Sequence, residues 1–127
     1  MNNRENAMAG ENLGWRLETI VYIELLRRFK PQGYDIYYFA ETSGKADFVV
    51  CKGKSVQQII QVCYDISNPK TLKRKIKGLL LTSEKTKCNN LLLITNNDDS
   101  QITENGKTID IVTAYAWLTE KGLNYVN

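Results

Sequence analysis

Two polar residues interrupt runs that otherwise have the character of buried strands. Asp47 lies in Lys45-Ala46-Asp47-Phe48-Val49-Val50, and Gln61 lies in Ile59-Ile60-Gln61-Val62-Cys63. A carboxylate among apolar neighbours is costly unless it is paired, hydrogen-bonded or bound to a metal. Strand alternation sets Lys45, Asp47, Val49 and Cys51 on one face, and Gln57, Ile59, Gln61, Cys63 and Asp65 on one face of the next strand. With Glu18 on a preceding helix, these residues form a candidate site. Two arrangements are open. In one, Gln61 bonds to Asp47 inside a buried polar network, with Lys45 or an arginine balancing the charge. In the other, the oxygens hold a divalent cation.

Composition narrows the chemistry. The chain has 127 residues and no histidine, which excludes a Ser-His-Asp triad, a Cys-His nucleophile and a histidine-ligated zinc within it. Cys51, Cys63 and Cys88 form no Cys-x-x-Cys pair, so zinc is not expected, and three sparse thiols fit a reduced, cytoplasmic protein. Cys51 and Cys63 fit small core residues better than reactive thiols. Any metal must take oxygen ligands, which favours magnesium, manganese or calcium. No Gly-x-x-x-x-Gly-Lys-Ser/Thr loop is present, so no nucleotide is expected in the P-loop manner. No apolar run has the roughly 20 residues of a membrane span.

The elements that must position these residues follow from periodicity and turn signals. Residues 1–10 read as a polar, flexible leader, and 11–127 as one domain. Leu13, Leu17, Ile20, Val21 and Glu24 follow helical spacing, predicting a helix over 11–30 that Pro31-Gln32-Gly33 ends. Three strands follow, over 34–40, 46–52 and 57–66, joined by Thr-Ser-Gly and Gly-Lys-Ser turns that predict antiparallel pairs. A second helix over 69–86 starts at Pro69, with Leu72, Ile76, Leu79 and Leu80 as its apolar stripe and the lysines largely opposite. Residues 90–95 form a strand buried on both faces. Residues 96–106 form a polar loop or hairpin arm, 108–113 a last strand, and 114–121 a closing helix with Trp117. The order is α-β-β-β-α-β-β-α, an α/β fold with one central sheet flanked by helices.

The charge is uneven. The net charge is +3, but Lys70, Lys73, Arg74, Lys75, Lys77, Lys85 and Lys87 face only Glu84 in the second helix and its end, giving that segment +6 and the remainder −3. Glu24 has the place of a surface or salt-bridging carboxylate. Ser67 and Asn68 are better placed than Asp65 to cap the second helix.

The helix Leu17-Glu18-Thr19-Ile20-Val21-Tyr22-Ile23-Glu24-Leu25-Leu26-Arg27-Arg28, the strand Gly44-Lys45-Ala46-Asp47-Phe48-Val49-Val50, the strand Ile60-Gln61-Val62-Cys63-Tyr64-Asp65 and the closing Trp117-Leu118 resemble the restriction endonuclease-like PD-(D/E)XK superfamily. In particular they resemble the C-terminal domain of archaeal and bacterial AAA-family ATPases. The resemblance runs over residues 11–120 and implies the α-β-β-β-α-β core with a mixed sheet. It further implies a Mg²⁺ or Mn²⁺ site with Glu18 as the helix carboxylate, Asp47 as principal ligand, Gln61 at the second acidic position and Cys63 at the position of the catalytic lysine. Gln61 removes a negative charge and Cys63 supplies no cation. Lys45 stands as the replacement for that lysine. Lys70, Lys73, Arg74 and Lys77 are then candidates for contacts to DNA phosphates.

The departures at Gln61 and Cys63 favour a nuclease-fold domain with a degraded metal site, acting as a DNA-binding or protein-interaction module associated with an ATPase. The alternative is an active Mg-dependent endonuclease or phosphodiesterase using Glu18, Asp47, Gln61 and Lys45.

Overall fold

The computed structural model describes residues 3–119, with side chains described from residue 13 onward. Three helices and six strands follow in the order α1 (Asn3–Phe29), β1 (Asp35–Glu41), β2 (Gly44–Lys52), β3 (Ser55–Val62), α2 (Pro69–Thr86), β4 (Leu91–Thr95), β5 (Ser100–Glu104), β6 (Lys107–Thr113) and α3 (Ala114–Leu118). The expected α-β-β-β-α-β order is present. Gly33, at φ +88°, turns the chain out of a single 3₁₀ turn after α1, a backbone conformation that glycine adopts without a Cβ penalty.

The six strands make one sheet in the order β1-β2-β3-β4-β6-β5. β1–β2 and β2–β3 are antiparallel hairpins, as the short turns require. β3–β4 and β4–β6 are parallel, with α2 as the crossover between β3 and β4. All five residues of β4 are buried, as its unbroken apolar run predicts.

Each sheet face carries its own core. Leu17, Val21, Leu25 and Phe29 of α1 join Val50, Ile60, Leu92 and Trp117 on one side. Ile76 and Leu79 of α2 join Ala46, Val49, Ile59 and Leu93 on the other. Arg28 ties α1 to α3. Its Nε donates to Glu24, its Nη2 donates to the Trp117 carbonyl at 2.8 Å, and its guanidinium lies 4.6 Å over the Trp117 ring. Glu24, bonded to Arg27 and Arg28, is thus a salt-bridging carboxylate.

The structure departs from the sequence-based expectations at element ends. α1 begins at Asn3 instead of residue 11, taking in a stretch rich in good helix formers that has no apolar period to announce it. β3 ends at Val62 instead of residue 66, because Asp65 accepts from both the backbone N–H and the hydroxyl of Ser67, turning the chain toward α2. Asn68 caps α2 by accepting from Thr71 N–H. The polar arm contains β5, paired antiparallel with β6. The closing helix ends at Leu118, with Thr119 outside helical geometry, instead of continuing to residue 121, and residues 120–127 lie outside the described residues.

Candidate functional site

The site begins with an irregularity in β2. Along the β1–β2 ladder Tyr37 pairs with Val49 but Phe39 pairs with Ala46, so Tyr38 alone faces both Asp47 and Phe48. Such a bulge re-aims the side chains around it. Phe48 packs on the α1 side, stacked on Tyr22, whereas Ala46 joins the α2-side core. Strict alternation therefore fails here, and Lys45 is exposed instead of sharing the buried face of Asp47.

Beyond the Phe48–Ile60 pair, side chains replace the β2–β3 ladder. Asp47 Oδ2 accepts the backbone N–H of Val62 at 2.9 Å. Gln61 Oε1 accepts the backbone N–H of Asp47 at 2.8 Å, and its Nε2 donates to the carbonyls of Lys45 and Lys75 at 2.7 and 3.1 Å. A backbone donor on one side and two carbonyls on the other fix the orientation of this amide. Both ends of Gln61 are thereby committed, at 1% exposure.

The cation is Lys75, from the middle of α2. It is buried, and its Nζ lies 3.0 Å from Asp47 Oδ2 and 3.4 Å from Glu18 Oε1. α1 and α2 cover opposite faces of the sheet, so this side chain reaches past the end of the β2–β3 ladder to join carboxylates from two layers. Gly78 permits the approach. A Cβ there would run into the Lys45 carbonyl and crowd Gln61 Nε2. Burial raises the Glu18 pKa above its ordinary 4.5; the Asp47 charge adds to the rise and Lys75 opposes it.

Glu18, Asp47 and Gln61 are therefore brought together, as the sequence predicts, but around an internal ammonium. Cys63 follows the end of β3 with its thiol directed to the Asp65 carbonyl at 3.6 Å, and burial pushes its pKa up. It supplies neither a cation nor a thiolate. Lys70, Lys73, Arg74 and Lys77 are exposed on α2 and do not enter the site.

The fit to a divalent cation is poor. Asp47 Oδ2 already takes two donors, the Gln61 carbonyl oxygen is used by the backbone, and Lys75 bonds both carboxylates. Among the described residues, no three His, Cys, Asp or Glu side chains converge. No helix of the described residues is long and apolar enough to cross a membrane.

No family model matches the chain. It is 32% identical over 113 residues to the uncharacterized protein MJ1544 of Methanocaldococcus jannaschii, a match covering 84% of this chain and 25% of that protein. Among solved structures, a chain from the half-complex of Thermococcus gammatolerans McrB AAA+ hexamers with bound McrC superposes with a TM-score of 0.55 at 13% identity, covering 79% of this chain and 27% of that one. What is shared there is a fold. The chain spans about a quarter of the length of either relative.

Lys75 and Gly78 are the two site residues that the sequence-based reading misses. Both carried a signal. Lys75 stands three residues after Leu72 and four before Leu79, on the apolar stripe itself, and Gly78 is a poor helix former in mid-helix.

Proposed function

We propose that this chain is a nuclease-fold domain of the PD-(D/E)XK kind in which the Lys75 ammonium takes the place of the metal, leaving a non-catalytic module that works with an AAA-family ATPase by binding a protein partner or DNA. The observation that carries this reading is the placement of Lys75 Nζ against both Asp47 and Glu18. A divalent ion would have to displace a buried ammonium and would find Gln61 already spent. Breaking such a buried pair leaves an uncompensated charge, at a cost of about 3–5 kcal/mol. The association with an ATPase is supported by the fold shared with a chain of the McrB–McrC assembly. Lys70, Lys73, Arg74 and Lys77 offer the exposed cationic surface for binding.

The test is incubation of the full chain with supercoiled, linear and single-stranded DNA in Mg²⁺ or Mn²⁺. The expected result is intact DNA. Cleavage that is abolished by Asp47→Ala would overturn the proposal.

One observation favours a second reading, an active Mg-dependent phosphodiesterase. Lys75 sets an ammonium 3.0 Å from Asp47 and so supplies the cation that Cys63 does not. The two readings predict opposite effects of removing Lys75. Loss of a catalytic lysine abolishes cleavage, whereas loss of an occupying ammonium raises affinity for the metal.

A further inference from the structure

The outward flank of α2 holds a groove of about 570 Å³. Leu72, Leu80 and Leu81, each half-buried, form an apolar strip along it, with the buried Ile76 at its floor. Lys73 and Lys77 line the groove along its Pro69 half, with Lys70 and Arg74 exposed on the same helix. Among the described residues none of these four cations has an ion-pair partner. At the other end the groove closes on Glu84 of α2 and on Glu104 and Asn105 at the β5–β6 turn.

We propose that this groove docks an amphipathic segment of a protein partner, with its apolar side chains on the Leu72–Leu80–Leu81 strip and its carboxylates over Lys73 and Lys77. This names the partner surface of the interaction module proposed above and rests on that reading. Two features select a peptide over a nucleic acid. A phosphodiester backbone gains nothing from a strip of leucines, whereas apolar anchors spaced along a peptide are buried there. A continuous polyanion would also meet Glu84 and Glu104, while a segment with acids at one end only avoids them. The polarity of the groove therefore sets the direction in which the segment lies.

The experiment is selection of a displayed library of random peptides on the full chain, followed by fluorescence anisotropy of the enriched sequences. Enriched peptides are expected to combine apolar residues at helical or alternate spacing with acids toward one end. Their affinity should fall about tenfold or more in Lys73→Glu/Lys77→Glu, whose positions are exposed and tolerate the change. Leu80→Asp should give a comparable loss. Failure to enrich any sequence, or binding indifferent to Lys73→Glu/Lys77→Glu, would overturn the proposal. So would duplex DNA that binds through these lysines and is indifferent to Leu80→Asp, because the groove would then serve nucleic acid. DNA cleavage by the chain would overturn the non-catalytic reading while leaving the peptide result to stand or fall by itself.

Discussion

At the scale of single residues, Lys75 decides what the site can do. Its ammonium holds Asp47 and Glu18 together from a helix that belongs to the other side of the sheet from α1. Replacing it by methionine keeps the stem but strands Asp47 at 6% exposure. Lys75→Met should therefore lose about 3–5 kcal/mol by urea denaturation, and Asp47→Asn/Lys75→Met should lose much less than the sum of the single changes. Additive losses would show that the pair is not coupled. Glu18 gives a pH signature of known sign. Its folded pKa lies above 4.5, so the stabilisation linked to its protonated form is present at low pH and is lost as the pH rises through the folded value. Glu18→Gln should be at least as stable as the parent at neutral pH, with that advantage gone in acid. A variant less stable at neutral pH would mean that the Lys75 contact outweighs burial. Part of this constellation was legible beforehand, since Asp47 and Gln61 interrupt apolar runs and Glu18 was placed on the preceding helix and singled out by the family resemblance. The identity of the balancing cation was not, because α2 carries basic residues on several faces and only their three-dimensional packing separates Lys75 from the exposed ones.

At the scale of elements, the bulge at Asp47–Phe48 and the close approach of α2 at Gly78 build the site. Alanine is the better helix former by about 1 kcal/mol, yet Gly78→Ala drives a methyl group into the Lys45 carbonyl. The helix must move off β2, disturbing the Gln61 bonds, and the expected result is a net loss of about 1–3 kcal/mol in thermal or chemical unfolding. A gain in stability would show that the contact is slack. α2 itself was readable to its bounds, because Pro69, the Asn68 cap and the apolar stripe agree with one another. The bulge was not, since a single extra residue in β2 leaves no mark on an alternating pattern and reverses the face of every residue before it. That reversal is why Lys45 is outside and Ala46 inside. β5 was left open between a loop and a hairpin arm because its residues are polar and it lies at the sheet edge, with only Ile102 half-buried.

At the scale of the whole molecule, the absence of histidine and the uneven charge acquire a structural meaning. One of the seven cations in the basic segment is withdrawn into the site, and two of the exposed ones, Lys73 and Lys77, line an apolar groove. The same helix thus places Lys75 against Asp47 and Glu18 and, on its other flank, carries the groove proposed above as a docking surface. On the proposed reading, the Lys75 ammonium occupies the place a metal would need, which suits the site to binding and not to hydrolysis. Titration of Mn²⁺ into the parent protein and into Lys75→Ala, both verified as folded by circular dichroism, tests that claim most directly. The account predicts no binding heat with the parent and a new Mn²⁺ site in Lys75→Ala that disappears when Asp47→Ala is added. Saturable Mn²⁺ binding by the parent, lost on Asp47→Ala alone, would contradict it.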